Sequence, residues 1–145
     1  MKENILALGN SACNIANNLE KYNSYVLYQI SNKRYKKNQK NCYTVKDLSN
    51  PEDYENLEVV ENIDFLKRIT KEVTFIVNGA SKTSALSLRV LESLHERQVK
   101  IKVIYLQPEL DFLSEKQILN EKVVRNVLQQ YARSGLFQEI CLVSL

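Results

Sequence analysis

The sequence predicts an α/β protein built on a three-layer, doubly wound parallel sheet of about five strands. Short apolar runs alternate five times along the chain with segments whose apolar residues recur at helical spacing. Strand–helix–strand units of this kind are joined by right-handed crossovers, so their strands run parallel. We expect one domain spanning residues 1–145, with the first strand central and the strand order 3-2-1-4-5.

The first predicted strand and helix meet at a glycine. Residues 4–9, NILALG, form a short apolar run that ends at Gly9. The following segment, 10–22, carries alanine, isoleucine and leucine at helical spacing. Asn10 or Ser11 can cap the start of this helix.

A basic segment separates the second strand from the next helix. Residues 24–31, SYVLYQIS, are rich in β-branched and aromatic residues, which favour a strand. Lysine and arginine concentrate in 33–40, which we expect to be an exposed loop without a specific nucleic-acid site, because the net charge of the chain is only +3. A helix is predicted from Asn50 to about Thr70, with Pro51 at its first position.

The second half of the chain predicts three further strands and two helices. The third and fourth strands are EVTFIVN, 72–78, and VKIKVIYL, 99–106, and the fifth is FQEICLVSL, 137–145. The helix between the third and fourth strands has Thr83 or Ser84 as its cap. The last helix begins at an S-x-x-Q capping box and ends at a glycine. Its apolar stripe consists of Leu119, Val123, Val127 and Tyr131.

Composition excludes several protein classes. With 44% hydrophobic residues the chain can bury one normal core. The cysteines, Cys13, Cys42 and Cys141, are odd in number and lack CxxC spacing, so neither a disulfide framework nor a metal site is expected. No signal-like or long apolar segment occurs, which predicts a cytoplasmic protein without a membrane span, or one inside a virus particle if it is phage-encoded. His95, the one histidine, is expected on the surface.

Two loops at the carboxyl ends of the predicted strands are the candidate binding site, because parallel sheets bind ligands at that edge. Backbone N–H groups and the helix dipole at such loops attract phosphate. The candidate residues are Gly9, Asn10, Ser11 and Asn14 in GNSACN, and Gly79, Ser81, Lys82, Thr83 and Ser84 in NGASKTS. The same residue types are common in helix caps and turns that bind nothing. No paired carboxylates and no cysteine–histidine pair occur, so no catalytic residue is assigned.

In order and spacing, these segments resemble the nucleotide-binding half of the tubulin/FtsZ family. GNSACNIAN resembles the family's glycine-rich first loop, Asn50-Pro51-Glu52 its Asn-Pro-Glu loop, and Gln107-Pro108 its Lys-Pro turn. Residues 78–84 lie over the signature GGGTG[ST]G. The resemblance implies that phosphates bind between Gly79 and Ser84 and that Asn14 lies near the sugar or base.

Departures from the family's pattern determine the expected function. Ala80, Lys82 and Ser84 replace glycines of the signature, and the family's long central helix and acidic catalytic loop have no counterpart. We expect a non-catalytic assembly or interaction protein, such as a structural subunit of a phage particle or a filament regulator. It would bind a protein partner or itself, and GTP or GDP weakly or not at all.

Two alternatives remain open. One is the guanine-nucleotide-binding domain of a tubulin/FtsZ-like GTPase, truncated before its central helix and catalytic loop. The other is a doubly wound enzyme with a different cofactor, which no G-x-G-x-x-G motif supports.

Overall fold

A computed structural model describes residues 2–32, 41–50, 53–54, 60–137 and 139–144. The strands are β1 (Glu3–Leu8), β2 (Tyr25–Ser31), β3 (Cys42–Thr44), β4 (Glu72–Asn78), β5 (Lys100–Gln107) and β6 (Glu139–Ser144). They form one six-stranded sheet in the order β3-β2-β1-β4-β5-β6. Every neighbouring pair is parallel.

The predicted fold class is confirmed, and β1 lies inside the sheet between β2 and β4. The order 3-2-1-4-5 recurs within the observed order, which adds a sixth strand. The strand that is third along the chain is the short edge strand β3, which the sequence pattern did not predict. EVTFIVN, numbered third from the sequence, is β4 and pairs directly with β1. Three residues are too few to show the alternation that marks a strand.

The helices are α1 (Asn10–Asn17), α2 (Ser87–Glu96) and α3 (Glu115–Arg133), with shorter 3-10 turns at Val60–Asn62, Asp64–Arg68, Lys82–Leu86 and Leu110–Phe112. The predicted caps of the first two helices are wrong. Gly9 occupies the N-cap position of α1, and no side chain caps that helix. Thr83 and Ser84 lie inside the 3-10 turn that precedes α2, which likewise has no side-chain cap.

The start and end of α3 agree with the sequence. Ser114 and Gln117 form the predicted capping box, and Gly135 follows the helix with a φ of +83°. The helix predicted from Asn50 to Thr70 lies partly outside the described residues, and its described end consists of the two 3-10 turns in 60–68. The basic segment 33–40 also lies outside them.

Two apolar clusters cover the two faces of the sheet, and β1 contributes to both. Leu6 and Leu8 point into the larger cluster, under α2 and α3, whereas Ile5 and Ala7 point into the smaller one. This is the alternation expected of a strand buried on both faces. The residues of α1 in the smaller cluster are all small: Ala12, Cys13 and Ala16.

The stripe predicted on α3 meets the core only in part: Tyr131 packs against the larger cluster, but Leu119 and Val123 do not. Val124 and Leu128 are buried there, whereas Leu119 and Val123 are 63% and 52% exposed. His95 is exposed at the end of α2, as predicted, and no disulfide joins the cysteines in the described part of the chain. No helix among the described residues is long and apolar enough to cross a membrane.

Candidate functional site

A polar cleft of about 660 Å³ opens at the carboxyl edge of the sheet, where β1 and β4 end. Its walls come from the first loop, residues 9–14, the second loop, residues 78–84, and the start of α3. This is the edge where open parallel sheets bind their ligands. The polar residues of the lining include Asn10, Ser11, Asn32, Ser49, Asn78, Ser81, Lys82, Ser114, Lys116, Gln117 and Asn120.

The structure brings the two predicted loops together, but only part of the predicted site reaches the cleft. The predicted residues that line it are Asn10, Ser11, Ser81 and Lys82. Asn14 is exposed on α1 and does not belong to the lining. Thr83 and Ser84 are each 1% exposed, so their hydroxyls face the protein interior.

Both glycines of the loops are required by packing inside the protein. Gly9 has a φ of +94°, and a Cβ at this position would lie 2.9 Å from both Ser81 Oγ and Thr83 Oγ1. At Gly79, a Cβ would lie 1.9 Å from the hydroxyl oxygen of Tyr105. Each glycine is therefore explained without a ligand.

The polar groups of the second loop are bonded to one another and to α3. Asn120 Nδ2 donates to the carbonyl oxygens of Gly79, at 2.9 Å, and Ser81, at 3.1 Å. Ser84 Oγ donates to the Ser81 carbonyl at 2.6 Å. The Ser81 and Thr83 hydroxyls lie 2.8 Å apart. These bonds fix the loop as a closed turn.

A second network of hydrogen bonds crosses the mouth of the cleft. Asn10 Nδ2 donates to Asn32 Oδ1 at 3.0 Å, and Asn32 Nδ2 donates to Asp47 Oδ1 at 3.1 Å. Lys82 Nζ donates to the same Asp47 oxygen at 3.2 Å and to the Leu48 carbonyl at 2.9 Å. The Lys82 ammonium, which the sequence analysis placed at a phosphate, thus has an acidic partner within the chain, Asp47.

Sequence reasoning missed Asp47 and Asn120. Asp47 follows β3, the strand too short to be recognised, so no pattern placed it at this edge. Asn120 lies in the interior of α3, where asparagine is a poor helix former. An asparagine at an interior helix position was therefore a weak sequence signal of a tertiary contact.

Beneath the second loop lies a buried phenol–carboxylate pair. Tyr105 Oη donates to Glu121 Oε1 at 2.9 Å, and Arg125 Nε lies 3.5 Å from the same oxygen. Burial, and then the hydrogen bond to Glu121, raise the pKa of Tyr105 well above its ordinary value. Tyr105 therefore acts as a hydrogen-bond donor and not as a base. No group of His, Cys, Asp and Glu side chains in the described part of the chain is arranged to hold a metal ion.

No known protein family matches the sequence, and no curated protein matches it. Among solved structures, the chain is similar to a short-chain dehydrogenase/reductase from Burkholderia vietnamiensis, with a TM-score of 0.55 and 10% sequence identity. The similarity covers 98% of this chain and 84% of that one. The fold is Rossmann-like. At this identity the similarity establishes the fold and nothing about activity.

The resemblance to the tubulin/FtsZ family is wrong. The similarity that spans 98% of the chain is to a short-chain dehydrogenase/reductase, and no family profile supports a tubulin-like assignment. The segments that carried the resemblance were turns between alternating strands and helices. Doubly wound folds of many families share that alternation, so its order and spacing do not distinguish among them.

The Rossmann-like fold also shows what the first loop lacks. Dinucleotide-binding proteins of this class carry G-x-G-x-x-G, whose second glycine lets the backbone approach the pyrophosphate. In this chain Gly9 occupies the first position, while Ser11 and Asn14 occupy the second and third. Asn32, and not an acidic residue, follows β2, where such proteins bind the ribose.

Proposed function

We propose that this chain is a non-catalytic interaction domain in which the loop 78–84, at the edge where Rossmann-like sheets bind phosphate, is closed into a turn by the protein's own side chains. The contact between Gly79 and Tyr105 is the observation that carries the proposal. A glycine that lets the backbone approach a bound phosphate would face an open cleft, whereas Gly79 lies against the buried phenol of Tyr105. The loop 78–84 then stabilises the fold, and the backbone N–H groups of Ala80, Ser81 and Ser84 already donate within the loop itself.

The lining of the cleft supports the absence of catalysis. General acid–base chemistry needs a group of suitable pKa within hydrogen-bond reach of the reacting atoms. Within the described residues, the lining contains no Asp, Glu, His, Cys or Tyr; of its two lysines, Lys82 donates to Asp47 at the mouth and Lys116 donates to Asn50. No carboxylate or imidazole in that lining stands beside its hydroxyls, such as those of Ser11 and Ser81, to activate them.

The closed turn, and not the ion pair, accounts for the expected lack of phosphate binding. Lys82 and Asp47 have side chains 42% and 70% exposed. An ion pair that exposed contributes only about 0–1 kcal/mol, so phosphate would readily compete for Lys82. Opening the turn would instead break the bonds from Asn120, and leaving buried polar groups unpaired costs about 1–3 kcal/mol each.

A second candidate function is weak binding of GTP, GDP or another nucleotide in the cleft. Its support is the cleft itself, since about 660 Å³ falls within the ~300–1,000 Å³ usual for ligand pockets. Ser11, in the first turn of α1, also lines the opening. Phosphate would meet the positive end of that helix there.

Calorimetric titration of the full chain with GTP, GDP and a nicotinamide dinucleotide separates the two candidates. We expect millimolar affinity or none. If nucleotide binds at α1, Ser11→Glu abolishes it by charge repulsion, whereas Glu20→Gln, an exposed position beyond the end of α1 that does not line the cleft, serves as a control that leaves it unchanged. A micromolar dissociation constant that Ser11→Glu removes would overturn the first proposal.

The interaction role needs its own measurement. Sedimentation velocity over a wide concentration range, with and without nucleotide, shows whether the chain associates. We expect association that does not depend on nucleotide. A strictly monomeric chain that assembles only after GTP is added would contradict a non-catalytic interaction role.

A further inference from the structure

The two edges of the described sheet differ in how well they are protected against pairing with another strand. One edge is β3, which has three residues, and so short a strand offers little to pair with. The other edge is β6, which has six residues and no described strand beyond it. In an edge strand, the backbone N–H and C=O groups of alternate residues point away from the sheet. The outer edge of β6 therefore presents a row of hydrogen-bond donors and acceptors.

β6 lacks the features with which proteins usually block such an edge, namely lysine, proline, a bulge or a covering element. Its sequence, EICLVS, contains neither lysine nor proline. Its pairing with β5 is continuous along its whole length, so no bulge twists its outer edge away. Residues 141–144 are all exposed, among them Leu142 at 45% and Val143 at 38%. An exposed apolar edge of this length is suited to pairing with another strand.

The charge and the side chains of β6 fit a second copy of the same strand. Glu139 is its single charged residue, and its carboxylate lies 3.9 Å from Lys102 Nζ of β5. Two copies would therefore meet along an edge whose exposed part, 141–144, carries no charge. Because Ile140 packs against the larger cluster, Leu142 lies on that face of the sheet, and Val143 lies on the other. Pairing would thus add apolar cross-strand contacts on both faces.

We infer that β6 pairs antiparallel with β6 of a second copy, about a two-fold axis perpendicular to the sheet, so that the two six-stranded sheets become one. This inference rests on the proposed function, for which it names the surface and the partner. An axis of this kind keeps each side chain on its own face of the sheet, and directly opposed residues also share a face. The residue on the axis must therefore lie opposite its own copy. The registers with the longest overlap place Cys141 or Leu142 there.

Both registers are compatible with the charge of the strand. In neither does Glu139 lie opposite its own copy, so no like charges are opposed. A pair of six-residue strands is only about 20 Å long. It buries less than the ~1,200 Å² of a standard stable interface, so we expect a weak dimer with a dissociation constant on the order of 100 μM.

Oxidation of the full chain with copper–phenanthroline tests the geometry of the pair. Opposed residues of an antiparallel pair have Cα atoms about 4.5–5.5 Å apart, which a disulfide can span, whereas diagonal neighbours are about 7–8 Å apart. Above the dissociation constant, we expect one disulfide-linked dimer: through Cys141 in the wild type, or through position 142 in the double variant Cys141→Ser, Leu142→Cys. Lys122→Cys combined with Cys141→Ser, exposed on α3, controls for chance collisions and should not link. Peptide mass mapping identifies the joined cysteines.

Sedimentation velocity with a pair of matched variants tests the surface. Leu142→Lys adds a charge to the outer edge of β6, and Leu119→Lys makes the same change at an exposed leucine of α3. Each substitution acts twice in a two-fold dimer, so Leu142→Lys should weaken dimerisation about tenfold, whereas Leu119→Lys should leave it unchanged. Because both leucines are exposed, the melting temperatures of both variants should stay close to that of the wild type.

The outcomes separate this inference from the proposed function. Association that Leu119→Lys weakens as much as Leu142→Lys, or that gives no disulfide at either position of β6, would overturn the pairing and leave an interaction role standing. A chain that stays monomeric at millimolar concentration would also overturn the pairing. Assembly that occurs only after GTP is added would contradict the proposed function itself.

Discussion

Replacing Gly79 with alanine tests whether the second loop is a packing element or a phosphate site. The backbone of Gly79 does not need a positive φ, so alanine brings no conformational strain of that kind. Its Cβ would lie 1.9 Å from Tyr105 Oη and 2.7 Å from Tyr105 Cζ, whereas carbon atoms in contact lie roughly 3.5–4.0 Å apart. Tyr105 or the loop must therefore move by more than about 1 Å.

The cost follows from what that movement breaks. Forcing extra volume into a packed core costs about 1–3 kcal/mol. Moving the phenol also breaks its bond to the buried Glu121, which adds about 1–3 kcal/mol. Alanine restricts the unfolded chain and returns about 0.4–1 kcal/mol. We expect Gly79→Ala to lower the free energy of unfolding by about 2–5 kcal/mol, a large part of the ~5–15 kcal/mol typical of a domain.

Urea unfolding followed by circular dichroism measures this loss, with the wild type and Gly135→Ala as references. Gly135 has a φ of +83°, and a Cβ added there would meet no described atom within 4 Å beyond its chain neighbours. Its alanine variant therefore carries only the left-handed backbone cost, about 1–2 kcal/mol. A Gly79→Ala variant within about 0.5 kcal/mol of wild type would refute the packing argument. Normal stability with loss of nucleotide binding would instead show that Gly79 serves a phosphate.

Three other changes probe the same region. Asn120→Ala removes the donor that holds the second loop and should cost about 1–3 kcal/mol in urea unfolding, while Asn126→Ala on the exposed side of α3 should cost less than about 1 kcal/mol. Because the pKa of Tyr105 is raised in the folded state, its protonated phenol stabilises the fold below pH ~10, and this contribution is lost as the pH rises further. Tyr105→Phe removes this titration, so the free energy of unfolding of the variant should depend less on pH above that value. Lys82→Met should cost at most about 1 kcal/mol at any salt concentration, because its ion pair with Asp47 is exposed; a loss above about 2 kcal/mol would contradict that assessment.

The elements that were predicted correctly are those with local signals. The apolar runs of β1, β4 and β5 and the capping box at Ser114 can each be recognised within a few residues. β3 was missed because its pairing with β2, and not its own pattern, makes it a strand. The cap of α1 was misassigned because Asn10 bonds to Asn32, a tertiary partner that sequence spacing does not reveal. The cap of α2 was misassigned because the Thr83 and Ser84 hydroxyls bond within the second loop.

The candidate site was predictable only in position. Topology placed the Gly9 and Gly79 loops at one edge of the sheet, and they do meet there. Whether that edge is open depends on Tyr105 and Asn120, which come from other elements of the fold. The apolar stripe of α3 illustrates the same limit: the helical period shows that a stripe exists, but both a core and a groove on the surface satisfy it.

The central position of β1 has a consequence for how the chain folds. β1 precedes the other described strands in the chain, yet one of its sides pairs with β4, which comes from the middle of the sequence. Pairing between segments so far apart must overcome the entropy of closing a long loop, which slows folding. During synthesis β1 and β2 can form a parallel pair early, but the open side of β1 stays available until Asn78 has left the ribosome. A nascent chain that is arrested after β2 has left the ribosome, but before β4 has done so, exposes an unpaired apolar strand edge. This species should therefore depend most on a chaperone.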